Sequence, residues 1–239
     1  GPGLCERFDA VLFDLDGVIY IGPAAVPHAI ESVTAVGARG PVLVYVTNNA
    51  NRPPEAVATH LRSLGLDATR TDVVTSPQAA VSLLPERIPD GSPVLVVGGP
   101  GIDDALAERG YRPVHDRVHD PVAVLQGFSP DLTWRDLAQA CYAVEAGLLW
   151  IATNPDRTIP TPEGIAPGNG AFVDLVARIA GRQPDAVAGK PEPPLLREAI
   201  ARAGSQRPLM VGDRLDTDIE AGTRAGVATL LVMTGVTSL

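Results

Sequence analysis

Apolar runs that end in polar residues recur along the chain and predict buried parallel strands. The run Ala10–Phe13 is apolar at every position and leads into Asp14, and Val42–Val46 leads into Thr47 in the same way. Strands with apolar residues at every position are typical of parallel sheets that are covered on both faces. Between these two runs, Pro27–Val36 has its apolar residues at helical spacing. The pattern therefore predicts a right-handed βαβ unit.

The same alternation restarts in the middle of the chain, and the last part returns to the first style. A buried run near the end of the chain leads into Asp213. We predict an α/β fold in which residues 1–78 and 185–239 form a Rossmann-like parallel-sheet core and residues 79–184 form an inserted α/β domain. The segment Pro155–Asn169 is rich in Pro, Gly and Thr, so we expect it to be irregular.

Composition and charge exclude several classes of partner. The chain of 239 residues is 45% hydrophobic and carries a formal charge of −9, which argues against nucleic acid, because nucleic acid needs a basic surface. No apolar run has the length of a membrane span, and no secretory leader pattern is visible. Cys5 and Cys141 lie far apart without redox or metal spacing, which favours reduced thiols. We therefore expect a cytoplasmic protein that binds neither nucleic acid nor membrane.

Polar residues that follow the predicted strands form a set suited to phosphoryl transfer. Ligands of open α/β sheets bind beyond the carboxyl ends of the strands, so these residues should meet at one edge. Hydroxyl, amide and ammonium groups match phosphate oxygens, and grouped carboxylates suit a hard divalent cation such as Mg²⁺. A carboxylate can also attack phosphorus and form an aspartyl-phosphate. The candidates are Asp14, Asp16, Thr47, Asn48, Lys190, Asp213, Asp216 and Asp218.

Four motifs resemble those of the haloacid dehalogenase superfamily of phosphatases in order and spacing across almost the whole chain. They are Asp14–Gly17, Thr47–Asn49, Gly189–Pro191 and Gly212–Asp218. The insertion resembles the larger, C2-type α/β cap of the branch that contains p-nitrophenyl, phosphoglycolate and glycerol-phosphate phosphatases. Two further stretches are typical of that branch: Ala152–Asp156 and Gly168–Ala171. The resemblance implies a Rossmann-like core with an inserted α/β cap domain.

The resemblance also implies a role for each motif position. Asp14 would be the nucleophile and a Mg²⁺ ligand, and Asp16 would be the general acid and base, with its backbone carbonyl also on the metal. Asp213 would be a further metal ligand. Asp218 would act through a water on the metal or by orienting Lys190. The phosphoryl oxygens would be held by Thr47, Asn48 and Lys190.

The expected substrate is a small phosphorylated metabolite, because a large cap that closes over the site leaves room for a compact molecule. The branch favours glycerol 3-phosphate or a phosphoglycolate-like monoester. A larger monoester such as pyridoxal phosphate or a nucleoside monophosphate, a phosphotransferase or mutase, and a non-catalytic phosphate sensor remain alternatives. A homodimer through the cap is a further expectation that the resemblance carries. Candidate specificity residues in the cap are Gly127, Phe128, Asn154 and Asp156.

Three other features carry alternative interpretations. Gly98–Gly101 superficially resembles a dinucleotide-binding loop, but its proline and glycine spacing favour a tight turn between a strand and a helix inside the cap. Asp216 either caps the helix that follows it or belongs to the site. His115 and His119 are four residues apart and could bind a metal from one helix face, but flanking prolines disfavour a helix there.

Overall fold

The computed structural model describes residues 4–161 and 163–237. The chain forms two compact units. The first comprises Gly1–Thr47, Pro54–Val74 and Lys190–Leu239, and the second comprises Asn48–Pro53 and Thr75–Gly189. Two of the boundaries between the units, after Val74 and after Gly189, lie a few residues from the predicted domain limits. The short segment Asn48–Pro53 belongs to the second unit, which the sequence did not indicate.

The secondary structure alternates between strands and helices. The strands are β1 (Ala10–Asp14), β2 (Tyr20–Ile21), β3 (Ala24–Ala25), β4 (Val42–Thr47), β5 (Val73–Thr75), β6 (Pro93–Val97), β7 (Arg112–Val114), β8 (Ala123–Gln126), β9 (Leu149–Ala152), β10 (Thr158–Thr161), β11 (Gly164–Pro167), β12 (Ala186–Val187), β13 (Pro208–Gly212) and β14 (Ala228–Leu231). The α-helices are α1 (Ala29–Gly37), α2 (Pro54–Ser63), α3 (Ser76–Val81), α4 (Pro100–Glu108), α5 (Trp134–Glu145), α6 (Asn169–Ala180), α7 (Pro194–Ala203) and α8 (Glu220–Ala225).

The main sheet of the first unit confirms the predicted Rossmann-like core. Its strand order is β14-β13-β1-β4-β5, and β1 pairs in parallel with both β13 and β4. Every residue of β1 is buried, as its apolar run predicts. β4, the next strand of this sheet along the chain, lies on one side of β1, and β13, which comes much later, lies on the other. The carboxyl end of β1 is therefore a topological switch point, where such sheets bind ligands.

The second unit has its own parallel sheet and its own apolar core. The sheet order is β12-β9-β8-β6-β7, and each pair of neighbouring strands in it is parallel. Trp150 is fully buried and donates its indole N–H to Gln126 Oε1 at 3.0 Å. It packs with Val144 of α5 and Val176 of α6. Full burial of an apolar side chain such as Val144 contributes about 1.5–3 kcal/mol to folding.

The segment predicted to be irregular contains a hairpin. β10 and β11 pair antiparallel from Thr158↔Pro167 to Thr161↔Gly164, and the Thr161 hydroxyl donates to Gly164 O at 2.8 Å. Most residues of both strands are exposed. The pairing therefore rests on backbone hydrogen bonds, which a hydrophobic pattern does not reveal. The same segment also contains the start of α6, which begins at Asn169.

Two further observations concern membranes and thiols. Within residues 4–161 and 163–237, no helix is long and apolar enough to cross a bilayer. Cys141 is a free, buried thiol whose pKa is raised by burial. The side chain of Cys5 lies outside the described part of the chain.

Candidate active site

A buried ion group lies at the carboxyl end of β1. Asp14 is the last residue of that strand and is only 8% exposed. Lys190 Nζ lies 2.5 Å from Asp14 Oδ1 and 2.7 Å from Asp218 Oδ1. Buried ions are costly unless they are paired and hydrogen-bonded, and here one ammonium serves two carboxylates. Residues that are distant in the sequence therefore meet at the switch point of the first unit.

Asp218 holds both Lys190 and the loop that follows β13. Its second oxygen, Oδ2, accepts the backbone N–H groups of Asp213 at 3.2 Å and Arg214 at 3.1 Å. Asp218 lies in a helical turn, Leu215–Ile219, that packs directly on Gly212, where a Cβ would collide with the Asp218 side chain. Both carboxylate oxygens of Asp218 are thus engaged by protein groups. This geometry suits the orienting role among the two roles considered for Asp218.

Asp213 has the properties of a cation ligand. It is fully buried, and its Oδ2 accepts the backbone N–H of Val236 at 2.6 Å. Its Oδ1 has no hydrogen-bond partner among the described residues, which is energetically unfavourable for a buried carboxylate. Asp14, Asp213 and Asp218 each offer an oxygen, and these oxygens lie within 4.8 Å of one another. Clustered carboxylate oxygens with one unpartnered oxygen fit a hard cation such as Mg²⁺.

Glycines allow the backbone to approach Asp213 closely. A Cβ on Gly17 would lie 2.7 Å from Asp213 Oδ2, and a Cβ on Gly235 would collide with the same oxygen. Gly17 also has a φ of +85°, which favours glycine. The glycine that ends the first motif is therefore required by both space and backbone conformation.

Burial controls the ionisation of this group. It raises the pKa of Asp14 to about 8, with Lys190 acting in the opposite direction and Asp218 reinforcing the effect. Burial also raises the pKa of Asp213. Burial disfavours the charged form of Lys190, but Asp14 and Asp218 outweigh it and raise the pKa of that ammonium. A cation bound nearby would therefore favour the ionised forms of Asp14 and Asp213.

A tight turn after β1 gives Asp14 and Asp16 different environments. The carbonyl of Leu15 accepts the backbone N–H groups of Val18 and Ile19, so the chain bends immediately after Asp14. Asp16 is exposed, whereas Asp14 is buried. Two carboxylates in such different surroundings can take different roles in acid–base chemistry.

Thr47 lies at the same sheet edge of the first unit. Asp14 is in register with Val46 of β4, and Thr47 is the next residue and is buried. Thr47 is the last residue of β4, the strand that pairs with β1. The structure therefore brings Asp14, Thr47, Lys190, Asp213 and Asp218 to one end of one sheet, as the sequence predicts from strand ends.

Asn48 lies in the second unit and meets two of the predicted cap residues. Its side-chain amide donates to Asp156 Oδ2 at 3.0 Å, and its backbone carbonyl accepts a hydrogen bond from the side-chain amide of Asn154 at 2.7 Å. The backbone N–H of Asp156 donates to Asn154 Oδ1 at 3.1 Å. Asn48, Asn154 and Asp156 therefore form one network, and the Asn48 side chain takes part in it.

The comparisons with known proteins identify the family. Residues 11–112 match the haloacid dehalogenase-like hydrolases, and residues 187–239 match HAD-hydrolase-like proteins. The acid sugar phosphatase of Staphylococcus aureus is 37% identical over 236 residues, which cover 98% of this chain and 90% of that protein. The chain belongs to the haloacid dehalogenase-like hydrolases. The resemblance seen in the four motifs is thus confirmed.

A mycobacterial relative is more similar in sequence. The D-glycerol 3-phosphate phosphatase of Mycobacterium tuberculosis is 44% identical over 235 residues, which cover 98% of this chain and 65% of that protein. The chain thus spans 65% of the length of this relative. The crystal structure of the Mycobacterium tuberculosis glycerol phosphate phosphatase in complex with magnesium has a TM-score of 0.93 at 44% identity, covering 98% of this chain and 70% of that one.

Sequence reasoning gave Asn169 of this hydrolase no role of its own. Asn169 is buried, and its side-chain amide donates to the carbonyls of Asn154 at 2.8 Å and Gln126 at 3.3 Å. It thereby holds the loop that carries Asn154 and Asp156. Its place in the stretch Gly168–Ala171, which is typical of the branch, was the available signal.

The structure also decides three alternatives. Asp216 lies within the helical turn Leu215–Ile219, and neither this turn nor the helix after it has a side-chain cap, so the capping interpretation is wrong. Its exposed side chain pairs with Arg214 at 2.7 Å and is outside the carboxylate cluster of Asp14, Asp213 and Asp218. Gly98 and Gly99 form a tight turn between β6 and α4, which begins at Pro100. This is the interpretation that the sequence favoured over a dinucleotide-binding loop. His115 lies outside the short helical turn Arg117–His119 and pairs with Asp103 at 2.8 Å, so His115 and His119 do not share a helix face.

The remaining two cap candidates differ in exposure. Gly127 is buried at the end of β8 and packs against Ala50 and Thr153, whereas Phe128 is half-buried. Gly127 therefore has a packing role in the second unit.

Proposed function

We propose that this hydrolase is a Mg²⁺-dependent phosphatase that acts on a small phosphate monoester through an aspartyl-phosphate, with glycerol 3-phosphate as the favoured substrate. The observation that carries this proposal is the buried group formed by Asp14, Lys190 and Asp213 at the switch point of the first sheet. It combines a carboxylate that can attack phosphorus, an ammonium that can hold phosphate oxygens and a carboxylate oxygen suited to a cation.

The cation would be held by Asp14 and Asp213, with the backbone carbonyl of Asp16 as the further protein ligand that the family implies. When bound, Mg²⁺ would neutralise the grouped carboxylates and polarise a phosphoryl oxygen of the substrate. Asp218 keeps Lys190 in place through Oδ1 and shapes the Asp213 loop through Oδ2. Lys190 and the Thr47 hydroxyl bind phosphoryl oxygens and stabilise the charge that shifts during transfer.

In the first step, the carboxylate of Asp14 attacks phosphorus. An O–P bond to Asp14 forms while the bond from phosphorus to the alcohol oxygen breaks. Asp16, in its protonated form, gives its proton to the leaving oxygen, and the alcohol departs. Its exposed position allows it to exchange that proton with solvent.

In the second step, water attacks the phosphorus of the aspartyl-phosphate. Asp16, now ionised, takes a proton from that water, and the bond between phosphorus and Asp14 breaks. Inorganic phosphate is released and the Asp14 carboxylate is restored. General acid and base help of this kind contributes roughly 10²–10⁴-fold to the rate.

The substrate preference is supported by the relatives. One of them is named for D-glycerol 3-phosphate and another for acid sugars, and both names denote small hydroxylated compounds. We therefore place a short polyol phosphate ahead of pyridoxal phosphate and nucleoside monophosphates.

Steady-state phosphate release with Mg²⁺ tests the proposal. The panel contains glycerol 3-phosphate, phosphoglycolate, pyridoxal phosphate, nucleoside monophosphates and p-nitrophenyl phosphate, and Asp14→Asn is the inactive variant. We expect glycerol 3-phosphate to give the highest kcat/KM and Asp14→Asn to release no phosphate. No release from any monoester by the wild type would refute the phosphatase, and preference for a larger monoester would refute only the substrate.

A further inference from the structure

The second unit has a switch-point crevice of its own. In its sheet, β6 lies between β7 and β8, which both follow it in sequence, so the direction of winding reverses beside β6. The crevice lies at the carboxyl ends of β6 and β8, where an open α/β sheet binds its ligand. Gly98–Gly101 follow the first of these strands and Gly127 follows the second.

The chain itself fills this crevice. The segment Asn48–Pro53, which follows β4, packs against the glycines there. A Cβ on Gly101 would lie 2.5 Å from the carbonyl oxygen of Ala50, and a Cβ on Gly127 would lie 2.8 Å from Ala50 Cβ. A Cβ on Gly99 would lie 2.9 Å from Asn51 Cα. Real Cβ contacts are essentially never so short.

Space, and not backbone conformation, requires glycine at these positions. The residues with positive φ do not include Gly99, Gly101 or Gly127. Gly101 lies in the first turn of α4, where the helical backbone conformation does not require glycine. The glycine-rich stretch that superficially resembles a nucleotide loop therefore admits a protein segment.

The first residue of this segment is held firmly within the second unit. The carbonyl of Asn48 accepts hydrogen bonds from Ser76 Oγ at 2.7 Å and from the side-chain amide of Asn154 at 2.7 Å. A Cβ on Gly189 would lie 2.6 Å from Asn48 Oδ1, so this glycine also gives Asn48 room. Asn48 follows Thr47 directly in the chain. Whatever fixes Asn48 therefore fixes the peptide that joins it to Thr47.

We propose that Gly101 and Gly127 are positioning residues for phosphate binding. By admitting Ala50 into the crevice, they set the position of the Thr47–Asn48 peptide. This inference rests on the proposed function, in which the Thr47 hydroxyl holds a phosphoryl oxygen.

The test compares Gly127→Ala and Gly101→Ala with Val144→Ala. Val144 is buried in α5 of the same unit, and its truncation removes core packing without touching the segment. The measurements are KM, kcat, competitive inhibition by inorganic phosphate with Mg²⁺, thermal unfolding and hydrogen exchange of the amides of residues 48–53. We expect both glycine variants to raise KM and the phosphate inhibition constant, and to lower kcat/KM by roughly 10–10²-fold, because misplacement of a positioning group by about 1 Å costs rate of this order.

A second-site change separates positioning from general damage. In the double variant Gly127→Ala with Ala50→Gly, the added Cβ no longer meets the Ala50 methyl group but still meets Thr153 Oγ1 at 2.8 Å. We therefore expect partial recovery, with tighter phosphate binding and slower amide exchange than in the single variant. We expect Val144→Ala to lower the unfolding temperature but keep the wild-type phosphate inhibition constant. Wild-type phosphate inhibition in both glycine variants, or equal loss in Val144→Ala, would overturn the positioning role alone. A wild type that releases no phosphate from any monoester would overturn the proposed function and this inference together.

Discussion

At the scale of single residues, Lys190 is the group on which the site depends most. Its side chain is 4% exposed and contacts one oxygen each of Asp14 and Asp218. In this arrangement a single positive charge compensates two buried carboxylates. Removal of one member of a buried ionic group leaves the others uncompensated, which costs much more than the loss of one contact.

We expect Lys190→Met to reduce both activity and stability. Activity should fall by roughly 10²–10³-fold, as for the loss of one group that stabilises transition-state charge. The free energy of unfolding should fall by about 3–5 kcal/mol, because Asp14 and Asp218 lose their shared cation. Activity assays and urea unfolding, both with Mg²⁺, measure the two effects.

The matched control is Arg197→Met, which removes a positive charge from the exposed surface of α7. We expect it to change the free energy of unfolding little, as exposed charges contribute little. Wild-type activity in Lys190→Met would show that this lysine does not hold the phosphoryl group.

At the scale of elements, Asp9 joins the strands that surround the site. Its carboxylate accepts the Ser205 hydroxyl and the backbone N–H groups of Gln206 at 3.1 Å and Arg207 at 3.0 Å. Its own carbonyl accepts the backbone N–H of Val42 at 2.9 Å. Asp9 therefore fixes the starts of β1, β4 and β13 against one another. The hydrogen bond from Ser205 is the main reason that the pKa of Asp9 is lowered.

We expect Asp9→Asn to destabilise the protein in a pH-dependent way. Because the pKa of Asp9 is lower in the folded state, its ionised form stabilises the fold above the unfolded pKa of about 3.9. That contribution is lost as the pH falls through the folded pKa. The difference in unfolding temperature between wild type and variant should therefore be largest near neutral pH and shrink under acid conditions.

Scanning calorimetry between neutral and acid pH measures this difference. Asp67→Asn is the control, since Asp67 is an exposed aspartate of the same unit. A difference that stays constant with pH would show that the role of Asp9 does not depend on its charge.

At the scale of the whole molecule, cation binding and folding are linked. The chain has a net charge of −9, and Asp14, Asp213 and Asp218 place carboxylates close together in its interior. Burial raises the pKa of Asp14 and of Asp213, which means that the folded state disfavours their ionised forms. A cation that binds only the folded state stabilises it by mass action.

We therefore expect Mg²⁺ to raise the unfolding temperature of the wild type relative to EDTA. At a Mg²⁺ concentration about 100 times Kd, the free energy of unfolding should increase by about 2.7 kcal/mol. Asp213→Asn should lose this increase, because it removes the negative charge of a proposed ligand. Calorimetry with and without Mg²⁺ makes the comparison.

Asp216→Asn is the control for that experiment. Asp216 is three residues away in the same loop, but it pairs with Arg214 and its side chain is 70% exposed. We expect its response to Mg²⁺ to equal that of the wild type. A full Mg²⁺ response in Asp213→Asn would place the cation elsewhere.

The fold class, the central strand and the residue types of the site can be predicted from the amino-acid sequence alone. Apolar runs such as Ala10–Phe13 and Val42–Val46 are local signals, and residues at their carboxyl ends must share a sheet edge when the strands are parallel. Motif spacing then gave the family. These features follow from periodicity and order along the chain, which need no knowledge of distant contacts.

The contacts between groups that are distant in the sequence can be seen only in the folded protein. Only it could show that Lys190 is shared by Asp14 and Asp218, that Asn169 holds the Asn154 loop, and that Asn48–Pro53 packs in the second unit. These arrangements depend on backbone carbonyls and on the absence of side chains at glycines, and neither leaves a hydrophobic pattern. The physical reason is that packing is a property of residue pairs far apart in sequence, whereas periodicity is a property of neighbours.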